Sequence, residues 1–388
     1  MRKILFVTNK LTTGGMEKAL YETIRVIQNP NTSITVATAH FGGELLDDFK
    51  EICTVKDLSE YYSKAFVTRK TLINNLKKIQ PISFVKNLFI LLKRKSLSYF
   101  QQKHLISQLM PKNTEEYDIA VAYATPYTSY VPYIVENVNA KRKIAWIQLD
   151  VLKYLKDTDL SEFEDCYGQL DVIVCDSKDS KNSFITRHPS LQDKTIVLNN
   201  PLDVEKIRQK STSSTPFKND CNDITICSVG RLDFIKCFDL AISAHKILKE
   251  KGYNVKWLVC GHGEEFDKLN ESILNEKLDS EFILLGNQKN PYKYMNAADI
   301  YVQPSRTESY CITLAEARAL KKPIVTTNFP CASEHVIHEH NGFICEMTPE
   351  SIADAIEKLI LSPELREKFS NNTTPVDSDH TKLKQLFE

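Results

Sequence analysis

Short runs of apolar, largely β-branched residues recur along the chain, with segments of helical length between them. The runs are ILFV, SITVATA, YDIAVAYA, KIAWIQ, DVIVCD, TIVLN, ITICSVG, KWLVCG, FILLG, DIYVQPS and KPIVTT. A strand that is buried on both faces of a parallel sheet has this nearly continuous apolar character. Strands that alternate with helix-length segments are typical of α/β proteins. The pattern therefore predicts an α/β fold with parallel sheets.

A polar segment separates these runs into two groups. Residues 208–220, RQKSTSSTPFKND, are rich in Ser and Thr and contain a proline, a composition typical of linkers. We therefore predict a hinge at residues 200–220, an N-terminal domain at 1–205, a C-terminal domain at 206–370 and a tail at 371–388. In doubly wound sheets, ligands bind outside the carboxyl ends of the strands. A cleft between two Rossmann-like halves is the expected site.

Composition narrows the class of protein. The 388 residues include 50 basic and 50 acidic side chains, and this balance argues against a dedicated nucleic-acid binder. The ten cysteines contain no CxxC pair, which argues against a zinc site or a disulfide framework and fits a reducing compartment. The first apolar run, residues 4–7, is shorter than a signal-peptide core of about 7–15 residues. No run reaches the roughly 20 apolar residues that span a bilayer. We expect a cytoplasmic protein.

Residues 61–112 depart from this neutral balance, with eleven Lys or Arg and no Asp or Glu. Apolar residues such as Phe84, Leu88 and Phe89 lie between the cations. Basic amphipathic segments associate with anionic membranes at about 1 kcal/mol per well-placed cation. We expect this segment to bind an anionic membrane surface. The alternative is a pair of helices that pack their apolar face on the domain.

Glu308 and Glu316 lie eight positions apart in ESYCITLAE, directly after DIYVQPS. In one continuous helix the two carboxylates would be about 12 Å apart, whereas those of a retaining glycosidase are about 5 Å apart. They are therefore not a hydrolase pair. We predict that Glu308 lies in a loop, that a helix begins within residues 309–312, and that Glu316 lies inside it. The helix N-terminus, with its unpaired N–H groups, would then lie between two acids.

A nucleotide sugar carries groups that match this arrangement. One carboxylate can bind sugar hydroxyls, the helix N-terminus can bind a diphosphate, and the second carboxylate can bind ribose hydroxyls. The spacing alone is explained more simply by a surface helix that happens to carry two glutamates. Other motifs must decide between the two interpretations.

The segment PSRTESYCITLAEA resembles the E-x7-E signature of retaining glycosyltransferases of family 4, which have the GT-B fold of two facing Rossmann-like domains. Further landmarks of the family follow its order, namely TTGGMEKA, VGRLDFIKCFD, VCGHGEE, LLGNQKNPYKYMNAADIYVQPS and NGFICE. The resemblance covers most of residues 1–30 and 140–360. It implies transfer of a hexosyl unit from a nucleoside diphosphate sugar, expected to be a UDP-sugar, to an acceptor hydroxyl on the N-terminal domain.

The resemblance also implies roles for individual residues. Arg231 and Lys236 would hold the donor pyrophosphate, for which a guanidinium and an ammonium are suitable partners. Glu308 would act on the transferred sugar, and Glu316 would bind the ribose. The other positions implied are Gly286, Asn287, Gln288, Ile312 and Thr313 for the nucleotide, and Gly14, Gly15, Ser309, Tyr310 and Cys311 for the donor sugar or phosphate.

One position departs from the family pattern. Many members carry a histidine in a W-x-H element, whereas this chain has Gln148 in AWIQLD. Glutamine can hydrogen-bond a hydroxyl but cannot shuttle a proton near neutral pH. We therefore assign Gln148 to contact with the acceptor or the sugar and expect the geometry there to differ.

The histidine-rich segment EHVIHEH, residues 334–340, is a candidate metal site. No DxD-type motif lies in a comparable loop, and we expect a solvated loop instead. The family usually needs no metal, because the cationic clamp and the helix N-terminus stabilise the departing diphosphate. We expect neither a metal nor another cofactor.

The resemblance and the basic segment together suggest the biological setting. We expect a lipid-linked or polymeric bacterial cell-envelope glycan as the acceptor, at the inner face of the membrane. The alternatives are a sugar-nucleotide epimerase of the same fold and a catalytically idle partner subunit. An NAD-dependent dehydrogenase is disfavoured, because no G-x-G-x-x-G follows a predicted strand. No carboxylate of the N-terminal half can be assigned as a nucleophile, which favours front-face substitution.

Overall fold

The computed structural model of the protein describes residues 1–65, 97–123, 126–153, 156–215, 224–375 and 380–388. The chain divides into two compact units, Met1–Pro201 with His380–Glu388, and Leu202–Asp379. The division falls beside the predicted domain boundary at residue 205. The end of the predicted tail belongs to the first unit.

The first unit contains a seven-stranded parallel sheet with helices between the strands. Its strands are β1 Arg2–Thr8, β2 Thr32–Thr38, β3 Thr54–Asp57, β4 Asn113–Ala122, β5 Val138–Ile147, β6 Val172–Cys175 and β7 Thr195–Val197. Its described helices up to this point are α1 Gly15–Ile27, α2 Leu46–Ile52, α3 Ser59–Ala65, α4 Tyr99–Leu109, α5 Tyr130–Glu136, α6 Glu162–Gly168 and α7 Lys178–Arg187. The strand order is β3-β2-β1-β4-β5-β6-β7, which is a doubly wound arrangement.

The second unit contains a six-stranded parallel sheet. Its strands are β8 Ile224–Val229, β9 Val255–Cys260, β10 Phe282–Leu284, β11 Ile300–Gln303, β12 Ile324–Thr327 and β13 Gly342–Cys345. Its described helices are α8 Val204–Ser211, α9 Phe238–Glu250, α10 Phe266–Asn275, α11 Tyr292–Ala297, α12 Ile312–Ala319, α13 Ala332–His335, α14 Pro349–Leu361 and α15 Pro363–Asn372. The strand order is β10-β9-β8-β11-β12-β13.

The hydrophobic pattern explains how both sheets form. Ile4 to Val7 of β1 are fully buried, because side chains of both sheet faces are covered. The helices cover the sheet with one apolar face each, and in α1 this face includes Leu20, Ile24 and Ile27. Each unit accordingly has two large apolar clusters of buried residues.

Every apolar run singled out in the sequence contains a strand, so the predicted parallel α/β architecture is confirmed. Two strands were not predicted as strands, β3 with sequence TVKD and β13 with sequence GFIC. Both are four-residue strands at a sheet edge. The two charged residues of TVKD interrupt its apolar character, and GFIC has only three apolar residues after its glycine, so neither forms a distinct apolar run.

The helix α16, Thr381–Phe387, packs on the first unit. Arg2 donates from Nη1 to the Phe387 carbonyl at 2.7 Å, and Arg142 donates from Nη1 to the Leu386 carbonyl at 2.7 Å. Both acceptors lie at the C-terminus of the helix, where unpaired carbonyls favour cations. The two arginines therefore cap the last helix of the chain.

The basic segment at residues 61–112 falls largely on residues 66–96, which lie outside the described residues. Its described parts are residues 61–65, which belong to α3, and residues 97–112, which include α4. Within the part of the chain that the structure describes, no helix has both the length and the apolar character needed to cross a bilayer.

Candidate functional site

The predicted site residues of the second unit gather at one edge of its sheet. The strands β10, β9, β8 and β11 are neighbours in that order, and their carboxyl ends meet at the same edge. The loops after β8, β10 and β11, together with α12, carry all the site residues predicted for this unit. This edge is where ligands bind in doubly wound sheets.

Two glycines allow the loops at this edge to approach closely. A Cβ on Gly261 would lie 1.8 Å from the Gly230 carbonyl oxygen, and one on Gly263 would lie 2.2 Å from that of Leu232. The Gly261 N–H also donates to the Gly286 carbonyl at 2.9 Å. The loops after β8, β9 and β10 are therefore joined backbone to backbone, which only residues without a side chain permit.

An ion pair between Lys236 and Glu308 lies at the centre of this edge. Their Nζ and Oε1 atoms are 2.6 Å apart, and the side chains are only 20% and 10% exposed. Ser305 Oγ donates to the same Oε1 at 2.7 Å. Burial lowers the pKa of the Lys236 ammonium, but Glu308, Cys311 and Asp233 together raise it by more, so this pKa lies above its ordinary value. Lys236 is therefore positively charged at neutral pH.

A chain of buried hydrogen bonds orients Glu308. Gln303 Nε2 donates to Ser305 Oγ at 2.8 Å, and its Oε1 accepts from Tyr301 OH at 2.7 Å. The same Oε1 accepts from Thr313 Oγ1 at 3.0 Å. Because Thr313 lies in the first turn of α12, the network links the carboxylate to the helix N-terminus. A fully connected buried network holds its members in one arrangement.

Arg231 differs from Lys236 in its exposure. Its side chain is 71% exposed, and its Nε lies 2.6 Å from Asp233 Oδ2. The other oxygen of Asp233, Oδ1, accepts from the backbone N–H groups of Ile235 and Lys236 at 3.1 and 3.2 Å. Asp233 therefore shapes the loop that carries both predicted cations and holds one edge of the Arg231 guanidinium.

The segment before α12 has an unusual backbone. Cys311 is the N-cap residue of α12 and has φ of 63°, in the left-handed region. The side chains of Tyr310 and Cys311 are buried in apolar clusters, and burial raises the pKa of the Cys311 thiol. Tyr310 and Cys311, both predicted to contact the donor sugar or phosphate together with Ser309, can therefore offer only backbone groups to a ligand.

Glu316 lies inside α12, whose first residues are Ile312 and Thr313. The predicted helix start within residues 309–312 is therefore confirmed. Glu316 is only 3% exposed. Its Oε1 accepts a hydrogen bond from Tyr292 OH at 2.9 Å. Buried carboxylates need such partners, because an unpaired buried charge is costly.

The loop after β10 carries the predicted base-contacting residues. Gly286 has φ of 67°, and its carbonyl already accepts from Gly261. Asn287 is exposed. The Gln288 side chain donates to the Leu285 carbonyl at 2.6 Å and accepts from Tyr294 OH at 3.2 Å. One of the two lone pairs of the Gly286 carbonyl is therefore already used within the unit.

The remaining predicted residues belong to the first unit. Gly14 is the N-cap of α1, and Gly15 is its first residue. Gln148 follows β5 and is buried, and its Nε2 donates to Tyr123 OH at 3.0 Å and to Asn200 Oδ1 at 2.8 Å. Both N–H groups of this amide are therefore used, so Gln148 can serve a ligand only as a hydrogen-bond acceptor.

The prediction that residues 334–340 form a solvated loop is wrong for His335. This residue ends α13 and is 2% exposed, whereas His338 and His340 are exposed. Its Nε2 hydrogen-bonds the Tyr310 carbonyl, and its ring lies 4.7 Å from the Tyr310 ring. Across the described ranges, no three His, Cys, Asp or Glu side chains are grouped as metal ligands would be.

Burial of His335 makes the stability of the protein depend on pH. Burial lowers the pKa of His335 to about 4, against about 6.5 in an unfolded chain. Between these values the unfolded chain binds more protons, so the contribution of His335 is complete above pH 6.5 and is lost as the pH falls toward 4. We expect acidification from pH 7 to pH 5 to lower the free energy of unfolding by about 2 kcal/mol through this residue.

Urea unfolding of a His335→Gln variant checks this expectation. Trp257 is the fluorescence reporter in the second unit once Trp146 of the first unit is replaced by Phe. His335→Gln should lose less stability than its parent between pH 7 and pH 5, while the exposed His338→Gln should match the parent. Equal pH dependence in the parent and both variants would contradict the assignment. Burial also lowers the pKa of His245 to about 4. Because His245 is present in every variant, it adds the same pH dependence of the unfolding free energy to all of them.

Several polar partners in this site were not singled out from the sequence. They are Asp233, Gln303, Ser305, Arg306 and Tyr292. All five lie within the quoted landmarks VGRLDFIKCFD, LLGNQKNPYKYMNAADIYVQPS and PSRTESYCITLAEA. The signal was their position inside these landmarks, because the role of a polar or charged side chain is not defined until its partners are known.

Comparison with known proteins finds a family match within the second unit. Residues 209–375 match the family described as "Glycosyl transferases group 1". The capsular polysaccharide biosynthesis glycosyltransferase CapM of Staphylococcus aureus is 31% identical over 208 residues, which cover 52% of this chain and 55% of that protein. The N-acetylgalactosamine-N,N'-diacetylbacillosaminyl-diphospho-undecaprenol 4-alpha-N-acetylgalactosaminyltransferase of Campylobacter jejuni is 28% identical over 207 residues, 53% of this chain and 55% of that protein. The chain spans about half the length of these relatives.

Solved structures extend the likeness to the whole fold. Anabaena Alr3699/HepE in complex with UDP superposes with a TM-score of 0.69 at 17% identity, covering 99% of this chain and 98% of that one. A glycosyltransferase from Rickettsia africae gives a TM-score of 0.71 at 17% identity, covering 100% and 97%. The chain thus has the predicted GT-B fold, and its residues 209–375 match the glycosyltransferase group 1 family.

Proposed function

We propose that the protein is a retaining glycosyltransferase of family 4 that transfers a hexosyl unit from a UDP-sugar to an acceptor hydroxyl. The observation that carries this proposal is the buried Lys236–Glu308 ion pair beside the N-terminus of α12, inside the segment that matches the group 1 family. It combines a fixed cation, a carboxylate and helix N–H groups at the ligand-binding edge of the sheet. These are the groups that a sugar diphosphate needs.

The leaving diphosphate is held by Lys236, Arg231 and the first turn of α12. An ammonium has three N–H donors, of which Glu308 takes one. The exposed Arg231 guanidinium can offer paired donors to phosphate oxygens. Backbone N–H groups at the start of a helix add partial positive charge. Together these groups stabilise the negative charge that develops on the diphosphate without a metal ion.

The nucleoside is held by Glu316 and the loop after β10. Glu316 accepts the ribose hydroxyls, and Tyr292 orients the carboxylate from α11. Gly286, Asn287 and Gln288 meet the base, mainly through their backbone. The choice of uridine is supported by the UDP complex of the Anabaena protein of similar fold.

Glu308 and the departing phosphate direct the transfer itself. The carboxylate binds hydroxyls of the transferred sugar, while the bond from the anomeric carbon to the diphosphate oxygen breaks. The acceptor hydroxyl attacks on the same face and passes its proton to the leaving phosphate, so the anomeric configuration is retained. Gly14, Gly15 and Gln148 of the first unit serve the sugar or the acceptor.

The acceptor is a lipid-linked or polymeric cell-envelope glycan. This proposal is supported by the names of the relatives, which refer to a capsular polysaccharide and to a diphospho-undecaprenol substrate. The basic residues 61–112 would hold the enzyme at the inner face of the membrane, where such acceptors are assembled.

Calorimetric binding of UDP, GDP, ADP and NAD in the presence of a chelator tests the donor site. We expect tight binding of one nucleoside diphosphate and weak binding of the others. Absence of binding by all four would overturn the donor site and favour an idle partner subunit. With the matching nucleotide sugar, an epimerase would release an altered donor without any acceptor, whereas a transferase releases free nucleoside diphosphate.

A further inference from the structure

Arg306 connects two loops of the site without belonging to the residues assigned so far. It lies two positions before Glu308, yet its contacts reach the segment between β8 and α9. Its backbone N–H donates to the Ile235 carbonyl at 2.8 Å, and Nη1 donates to the Phe234 carbonyl. Its Nη2 lies 3.5 Å from Asp239 Oδ2.

The Arg306 guanidinium also stacks on the ring of Phe234, whose carbonyl accepts its hydrogen bond. Its carbon lies 3.9 Å from the centroid of the Phe234 ring, within the range of a cation–π contact. The other oxygen of Asp239, Oδ1, is buried without a hydrogen-bond partner, so Arg306 supplies the nearby positive charge. A planar guanidinium can make these contacts at once, because its five donors have fixed directions.

The residues that Arg306 contacts lie on both sides of Lys236 in the sequence. Phe234 and Ile235 immediately precede it, and Asp239 follows in the first turn of α9. The Lys236–Glu308 ion pair also joins the two loops, but Lys236 must share its charge with a bound diphosphate. Arg306 holds the loops together independently of that pair.

We propose that Arg306 is a positioning residue for diphosphate recognition, which fixes the loop carrying Arg231 and Lys236 against the loop carrying Glu308. This inference rests on the proposed function. Arg306 acts through the neighbouring backbone and needs no contact with the ligand. Its loss should weaken binding of the diphosphate, while the nucleoside contacts of Glu316 on α12 stay in place.

The test compares UDP with UMP in calorimetric titrations of the full chain, or the matching pair if another base is selected. The variants are Arg306→Gln and Arg306→Lys. Arg208→Gln is the matched control, because Arg208 also donates to a carbonyl, that of Ala319 at 3.3 Å, and to a carboxylate, that of Glu205 at 3.3 Å. Ala319 ends α12, whereas the site lies at the start of this helix.

Arg306→Gln should lower UDP affinity about tenfold and leave UMP affinity unchanged, since one charged hydrogen-bonded contact is at stake. The UDP affinity of Arg306→Lys should lie between those of wild type and Arg306→Gln. An ammonium keeps the positive charge beside Asp239 but lacks the fixed planar set of donors of a guanidinium. Arg208→Gln should keep the wild-type ratio. If Arg306→Gln does not fold, as judged by its melting curve, the lysine variant carries the test.

The outcomes separate this inference from the function beneath it. Wild-type protein that binds no nucleoside diphosphate overturns both. Wild-type protein that prefers UDP to UMP, with the same preference in both Arg306 variants, overturns only the positioning role. Equal losses for UDP and UMP also overturn it, because they would indicate general damage to the unit.

Discussion

Replacement of Lys236 by glutamine is expected to lower the rate of sugar transfer by about 100- to 1,000-fold, the range seen when one preorganised electrostatic contact to a transition state is removed. The positive charge of Lys236 is fixed beside Glu308 at 2.6 Å, in a setting where both side chains are mostly buried. Such a charge needs little reorganisation when the diphosphate leaves. Neutral glutamine keeps hydrogen-bonding capacity but not the charge.

The measurement is the initial rate of UDP release at saturating UDP-sugar, with water as the acceptor where the glycan is not in hand. Lys246→Gln is the matched control, because Lys246 forms an ion pair of the same 2.6 Å length with Glu276 on the exposed side of the unit. An unchanged rate in Lys236→Gln would refute the role of the charge.

A double variant separates catalysis from folding. Lys236→Gln leaves the Glu308 carboxylate largely buried beside a neutral group, and we expect this to cost about 2 kcal/mol of stability. Adding Glu308→Gln removes the unpaired charge and should recover most of that loss. The transfer rate should remain low in the double variant, because both proposed functional groups are then absent.

Replacement of Glu316 by alanine is expected to weaken nucleotide binding by about 10- to 100-fold, corresponding to roughly 1.5–3 kcal/mol for hydrogen bonds to a charged group. The carboxylate is buried on α12 and oriented by Tyr292. Glu308→Ala should instead lower turnover with a smaller effect on binding of the nucleoside diphosphate. This result would show that Glu316 acts mainly in nucleotide binding and Glu308 mainly in sugar transfer.

A double-mutant cycle tests whether Glu316 binds the ribose. Wild-type protein and Glu316→Ala are titrated with UDP and with 2'-deoxy-UDP. If the carboxylate binds the 2'-hydroxyl, removing both partners should cost little more than removing either one. Glu357→Ala is the control, because Glu357 also accepts a tyrosine hydroxyl, that of Tyr253 at 2.8 Å. Equal UDP affinity of Glu316→Ala and wild type would exclude the ribose role.

The sequence alone determined the longer strands of this protein and identified the main charged groups of its candidate site. Apolar runs were sufficient to predict the central strands, because a strand buried on both faces of a parallel sheet needs an apolar residue at nearly every position. The start of α12 and the place of Glu316 inside it followed from the local pattern after β11. The landmark motifs indicated the fold that the structural comparisons then confirmed.

The tertiary structure alone decided which groups became partners. Lys236 and Glu308 are 72 positions apart and meet because β8 and β11 are neighbours in the sheet, although they are not consecutive strands. The same neighbourhood of β8 and β11 brings Arg306 onto the Phe234 loop. His335 lies against Tyr310 because β11 and β12, which precede these two residues in the chain, are also neighbours in the sheet. Neither contact can be deduced from local periodicity, because hydrogen bonds and burial depend on what packs from distant parts of the chain. The sequence thus determined most strands and the candidate charged residues, and the packing around the sheet determined which of them meet in the site.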